Sequence, residues 1–385
     1  AYVQSKWVRS YGQEFDGDKT YQIDGVGGWY DAGDHGKYVV NGGISVWTLQ
    51  NMFERAKAQG NADKFNDNGV MSIPQSYSVG NIKFDGTGSP DILDEARVEL
   101  EWMFNMMVKS DDPYWGSKYE NFVYHKLHDH KWTGLATQPW NYQDEWGTTR
   151  IVKPPSYAAT FNMIACAAQA ARLWEDYDSA FAAKCLDNAK KSWEAVMKYQ
   201  SNWAIDEGKS ESDPMFAPLD QAIGGGAYGD TYVQDDAYWA ACELFATTGD
   251  NTYYDFLSKY KNNNDTSGKD KAFSLTTSLG GGENNGSFSL FTWGTLNSVG
   301  SISLYVNSQD MLDKGLLTQD EVNTLKAQVL KAADSVLEVQ NKSAYGIPYV
   351  GHDYDTTVWK YDAASGKGES QTCLLYTSDA ADEAR

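Results

Sequence analysis

The sequence has no run of about 18 apolar residues, so nothing in it reads as a membrane-spanning helix. No basic stretch followed by an apolar one marks an export signal, and since the chain begins at Ala1 a cleaved signal is compatible with that. Cysteine is scarce. Cys166, Cys185, Cys242 and Cys373 form no C-x-x-C pair and have no histidine at zinc-ligand spacing, which argues against a metal cage built from them. Cys166 and Cys242 lie in alanine-rich runs, where a thiol acts as a small apolar core residue. Positive charge is also short: 32 Lys and Arg stand against 53 Asp and Glu, a net charge of -21. That balance repels a phosphate backbone and argues against nucleic acid as a partner.

Aromatic rings are plentiful, at 14% of the chain with 14 Trp and 25 Tyr. Many must fill the core, but flat rings with polar tips also suit amphipathic ligands such as sugars. Apolar residues recur at helical spacing in segment after segment while alternating extended runs are rare, which predicts an all-α protein. One stripe carries Ile44, Trp47, Met52 and Phe53, and another Leu93, Ala96, Leu100, Met103, Phe104 and Met107. Ser156 is placed to cap a long helix containing Phe161, Ile164, Ala168 and Leu173. Further helices are expected over Ser179 to Tyr199, Asp235 to Thr248, Thr252 to Tyr260 and Val299 to Met311. Thr318 and Glu321 form a capping box for the helix that follows. No low-complexity linker divides the chain, and Lys261 to Lys271 reads as a solvated loop, so one domain of paired helices is the economical arrangement. The long Gly-, Asn- and Tyr-rich loops between helices are where function is expected.

The run "GGWYDAGDHGKYVVNGG", Gly27 to Gly43, sets Asp31 and Asp34 three residues apart in a glycine-rich, aromatic-flanked loop. A calcium loop counted from Asp31 would need an acid at the twelfth position, which is Gly42. A phosphate cradle is disfavoured because the acids repel the anion. Two readings stay open. The carboxylates jointly bind and polarise a water, as in general-base catalysis, or they only satisfy loop amides in an Asx-type turn.

The same run resembles the signature loop of glycoside hydrolase family nine, the inverting cellulases with an (α/α)6 barrel. "SPDILDEARVELEWM", "YHKLHDHKWTG", "PPSYAATFNMIACAAQAAR" and "GGAYGDTYVQDDAYWAACELFATTGD" look like family segments in the right order, so the resemblance spans most of Gly27 to Gly351. It implies hydrolysis of β-1,4-glucosidic bonds in cellulose or a related β-glucan, with Asp34 as general base and Asp31 as the companion that helps hold the water. By position it implies that His125 contacts substrate hydroxyls and that Tyr228 and Trp293 line the cleft. Read without the resemblance, His125 is a surface histidine or a satisfied core one. Asp235 and Asp236 match a pair that helps bind a structural calcium in some members, although no aspartate follows Trp293 directly as it does there. No cofactor is implied for the chemistry, and a polymeric substrate implies secretion.

The resemblance breaks off toward the C-terminus. The family's acid is a glutamate in an N-E motif after a loop containing histidine and arginine. Here His352 is followed by "DYD" with no arginine near it, and Glu369 and Glu383 lack that context. The segment 373–385, "CLLYTSDAADEAR", reads as a translated adaptor, so the expected catalytic domain is 1–372, with a barrel incomplete at both ends. The alternative to an enzyme is a non-catalytic glucan-binding homologue or an inactive fragment without the acid.

Overall fold

Helices form where the apolar spacing predicts them. A computed structural model describes residues 1–3, 21–65, 76–79, 82–85, 88–129, 132, 137–138, 150–203, 213, 215–217, 224–230, 232–259, 274–279, 291–342, 346, 360–362 and 367–369. Lys261 to Lys271, His352, Glu383 and the segment 373–385 lie outside the described residues. The helices are α1 (Val39–Ala58), α2 (Asp91–Asn105), α3 (Gly116–Tyr119), α4 (Tyr157–Trp174), α5 (Ser179–Met197), α6 (Gln200–Trp203), α7 (Gln234–Thr248), α8 (Asn251–Lys259), α9 (Asn297–Val306), α10 (Ser308–Asp313) and α11 (Gln319–Lys342).

Both expected caps form. Ser156 Oγ accepts from Ala159 N at 3.1 Å at the start of α4. Ahead of α11, Glu321 N donates to Thr318 Oγ1 at 3.3 Å and Thr318 N donates to Glu321 Oε2 at 2.9 Å, a reciprocal capping box.

Two expectations need correction. Met52 is 39% exposed; five residues beyond Trp47 it is rotated about 140° around the helix, so the two do not share a face. The single helix expected over Val299 to Met311 divides at Asn307, whose Nδ2 donates to Ser303 O at 2.9 Å and to Glu54 Oε1 at 3.0 Å. A tertiary partner thus holds the side chain at the break.

Consecutive helices pack as pairs, α1 with α2, α4 with α5, α7 with α8, and α9 with α11. The first members of the pairs, α1, α4, α7 and α9, lie side by side in chain order as an inner layer. Composition explains why α4 is inside. It is rich in alanine and apolar residues on every side, with a few buried polar groups such as Asn162 and Gln169, and every residue but Arg172 is buried. The thiols of Cys166, Cys185 and Cys242 are buried and free.

Ten short strands accompany the helices: β1 (Tyr2–Val3), β2 (Lys37–Tyr38), β3 (Ser76–Val79), β4 (Ile82–Asp85), β5 (Val123–Tyr124), β6 (Lys126–Asp129), β7 (Arg150–Val152), β8 (Pro155–Ser156), β9 (Lys360–Asp362) and β10 (Lys367–Glu369) among the described residues. A four-stranded sheet runs β1-β7-β6-β2, with β1 parallel to β7 and the other neighbours antiparallel. The pairs β3 with β4, β5 with β8 and β9 with β10 stand alone. In the larger sheet Lys37 faces Leu127 and Tyr38 faces Lys126. This pairing fixes the exit of the aspartate loop at the entrance to α1.

Candidate active site

The loop that carries Asp31 and Asp34 is held at several points along its length. Gly28 adopts φ +71°, and a Cβ there would lie 2.7 Å from the Trp102 ring, so no larger residue fits. Trp29 N donates to Glu99 Oε2 at 2.6 Å and the Trp29 indole donates to Glu95 Oε1 at 2.8 Å, both acceptors belonging to α2. Lys37 Nζ donates to the carbonyls of Gly25 and Gly27. Burial pushes the Lys37 ammonium down to about 8, with Arg150 adding to the effect. Glu99 is fully enclosed, and burial pushes its carboxyl up to about 8 against the opposing pull of the Trp29 amide. His35 Nδ1 lies 2.7 Å from Asp129 Oδ2, and His35 Nε2 lies 2.7 Å from Thr137 O. The loop therefore behaves as part of the scaffold.

The two aspartates have different surroundings. Asp31 is exposed, with Asn41 Nδ2 donating to Oδ1 at 2.6 Å and the Tyr228 hydroxyl donating to Oδ2. Asp34 is half-buried. Its Oδ2 accepts from Gly36 N at 2.9 Å and from the Tyr38 hydroxyl, while Oδ1 has no partner among the described residues. The Asx-type turn considered from the sequence is thus present, but on one oxygen only. The other oxygen is open to a ligand.

An aromatic wall rises beside them. Tyr228 has φ +44°, an uncommon conformation for a bulky residue. Its ring centroid lies 4.6 Å from that of Tyr38 and 5.1 Å from that of Trp293, edge to face at 81° with the latter. A cavity of about 1110 Å³ opens here, lined by Trp29, Asp31, Asn41, Trp47, Tyr228, Phe291 and Trp293 among others. Carboxylate oxygens beside flat rings suit a neutral ligand rich in hydroxyl groups.

The structure brings Asp31, Tyr228 and Trp293 together in the lining of the cavity, while Asp34 is not among the lining residues and is linked to them through Tyr38, whose hydroxyl it accepts from and whose ring lies against Tyr228. It sets His125 apart: the residue is fully buried, with Nδ1 2.7 Å from Ser156 Oγ. Burial, with Lys126 close by, pushes its ring down to about 3, which keeps it neutral. The geometry is that of a core histidine held through Nδ1. Asp235 and Asp236 are also fully buried, in the first turn of α7. Asp235 Oδ2 accepts from Leu296 N at 2.7 Å and Asp236 Oδ1 accepts from Asn162 Nδ2 at 2.7 Å, so the pair ties α7 to the start of α9 and to α4. No group of three or more His, Cys, Asp or Glu side chains that could hold a metal ion occurs among the described residues.

Sequence reasoning missed Tyr38, Asn41, Trp29 and Trp47. The first three lie inside the run Gly27 to Gly43, so attention to its polar and aromatic members would have found them. Trp47 was read only as a member of a buried stripe. It is 3% exposed yet lines the cavity, with its indole donating to Ser303 Oγ at 2.8 Å.

The model of glycosyl hydrolase family 9 matches residues 2–379. The chain belongs to this family. The family 9 match extends beyond Thr372, the expected domain boundary. The chain is 41% identical over 335 residues to a cellulose 1,4-beta-cellobiosidase of Acetivibrio thermocellus, covering 86% of this chain and 33% of that protein. It is 42% identical over 233 residues to endoglucanase C of Cellulomonas fimi, covering 60% of this chain and 18% of that protein. The chain therefore spans a third or less of the length of these relatives. Among solved structures, a metagenome-derived family 9 endoglucanase superposes with a TM-score of 0.61 at 24% identity, over 89% of this chain and 50% of that one. The paired helices are those of the family 9 (α/α)6 barrel, as expected.

Proposed function

We propose that this chain is the base-bearing part of an inverting glycoside hydrolase that cleaves β-1,4-glucosidic bonds in cellulose or a related β-glucan. Asp34 acts as general base through Oδ1, and Asp31 holds the same water. An inverting enzyme needs its base and acid about 6.5–9.5 Å apart, with the water between the base and the anomeric carbon. The observation that carries the reading is the unequal treatment of the two carboxylates. Asp31 accepts from Asn41 and Tyr228, one on each oxygen, whereas Asp34 keeps one oxygen unpartnered among the described residues. Tyr228 and Trp293 then bound the sugar ring. Membership of family 9 and the cellulase names of the relatives support the substrate class.

Hydrolysis by two carboxyl groups and water needs no cofactor. A structural calcium at Asp235 and Asp236 is a separate proposal, since Leu296 N and Asn162 Nδ2 each take one oxygen of these carboxylates. The substrate is polymeric, so the enzyme works outside the cell; no described helix is long and apolar enough to cross a membrane.

Asp34→Asn in the full gene product is expected to lower reducing-end release from a soluble β-glucan by about 10²–10⁴-fold. Cellohexaose affinity, read by calorimetry, should stay near wild type. Turnover close to wild type in that variant would overturn the role of Asp34. Saturating binding without any turnover in the unaltered protein would favour the glucan-binding alternative.

A further inference from the structure

Tyr38 stands where β2, α1 and the aspartate loop meet, and it is 2% exposed. Its hydroxyl accepts from Gly226 N at 2.6 Å and donates to Asp34 Oδ2. The carbonyl of Gly226 accepts from Lys126 Nζ, which is itself fully buried. Lys126 lies opposite Tyr38 across the β2 and β6 pairing. These contacts meet at Gly226, whose carbonyl is held by the ammonium and whose amide donates to the phenol, which in turn donates to the carboxylate.

The backbone on both sides makes room for that phenol oxygen. A Cβ on Gly36 would collide with the Tyr38 hydroxyl and the Asp34 carboxylate, and a Cβ on Gly225 would lie 2.5 Å from the same hydroxyl and 3.0 Å from His128 Cβ. Two glycines from segments far apart in the chain thus leave space for a single oxygen atom. The Gly36 clearance also borders the ring carbon that bears the oxygen, so a phenylalanine would still use part of it and leave only the oxygen's share empty.

We propose that Tyr38 is a positioning residue for the hydrolytic water. The contacts from Lys126 through Gly226 to the Tyr38 hydroxyl hold Asp34 by Oδ2 and so leave Oδ1 in one orientation for the water. For its catalytic consequence this rests on Asp34 being the base. Lys126 anchors the Gly226 carbonyl and so fixes the residue in place, the Gly226 amide donates to the phenol oxygen and strengthens the phenol as a donor, and the phenol holds the carboxylate in one orientation. Burial and the neighbouring Asp34 push the Tyr38 phenol well above its ordinary range, so it keeps the proton it donates. The same contacts join the base to the segment that carries Tyr228, the donor to Asp31. Both carboxylates are thereby set by one glycine-rich strand of backbone.

Tyr38→Phe tests this, because it removes one oxygen and keeps the ring. Hydrogen exchange at residues 224–226 of this chain is expected to accelerate about tenfold or more, while exchange in α4 stays unchanged. The kcat of the full gene product on cellohexaose is expected to fall about tenfold or more, with KM and cellohexaose affinity unaltered. Unchanged exchange at 224–226 overturns the chain of contacts. Faster exchange with an unchanged kcat makes the hydroxyl a strut only, and overturns the positioning role. If Asp34→Asn keeps its turnover, the reading of Asp34 as base fails, while the exchange measurement still decides whether Tyr38 joins the two loops.

Discussion

Glu99 has Gly28 and Gly42 at its carboxyl group and the Trp29 amide as donor, so little water reaches its charge. Burial raises it from 4.5 to about 8. An acid raised in this way favours the folded state while it is protonated. In the unfolded chain the proton leaves near the ordinary glutamate value, so between the two values the folded protein holds more protons and stability falls as pH rises. Glu99→Gln keeps an acceptor for Trp29 and removes the titration. Melting the two proteins side by side from about pH 5 to about pH 8, the wild type is expected to lose roughly 1–4 kcal/mol relative to Glu99→Gln. Parallel curves would mean that Glu99 stays ionised throughout. The same enclosure that raises Glu99 holds Trp29 at the cavity wall, so a loss of local stability at high pH should also loosen the aspartate loop.

Among the helices, the ends are set by chemistry within a few residues, and those contributions can be measured singly. The capping box before α11 joins Thr318 to Glu321, and Glu321 also accepts from the Tyr254 hydroxyl at 2.6 Å, which binds α11 to α8. Thr318→Ala is expected to cost about 1 kcal/mol in chemical denaturation, and Thr318→Ser only a few tenths because the oxygen remains. Equal losses in both would point to packing of the threonine methyl group instead of the cap. Side-by-side packing of helices depends on other residues. A Cβ at Gly300 in α9 would lie 3.0 Å from Cys242 Sγ and 3.0 Å from Trp239 Cα in α7, so these two inner helices meet at their backbones. Periodicity alone does not distinguish such a glycine from one in a turn.

The inner helices are joined by one buried polar hub. Arg172 of α4 donates through Nε to Glu54 of α1 at 2.5 Å and through Nη2 to Glu243 of α7 at 2.6 Å. Ser303 of α9 donates to Glu243, and Asn307 beyond it donates to Glu54. Burial opposes the charge on Arg172, but Glu54 and Glu243 outweigh it and raise its affinity for the proton. Arg172→Met would leave two carboxylates buried without their cation, with an expected loss of about 3–5 kcal/mol. Adding Glu54→Gln and Glu243→Gln to that variant should recover much of the loss, as read in thermal melts. A triple variant no more stable than Arg172→Met would show that the arginine contributes mainly by packing. The hub reaches the cavity through Ser303, which accepts from the Trp47 indole, so the order of the inner helices and the shape of the cavity wall are coupled.

Most helices, the Ser156 cap and the Thr318 and Glu321 box were legible in the sequence, because each depends on residues a few positions apart; the Asp31 and Asp34 loop was singled out by its resemblance to the family signature, and its local spacing left its role open. The fate of individual side chains was not. Tyr228 reaches Asp31 across 197 positions, and the Gly226 amide reaches Tyr38 across 188. His125 is buried against Ser156, and Asp235 is taken up by the Leu296 amide. These outcomes depend on which distant backbone arrives beside a given carboxylate or imidazole. Local propensity carries no information about that, since the same residue is solvated, capped or buried according to neighbours that only the packed helices supply.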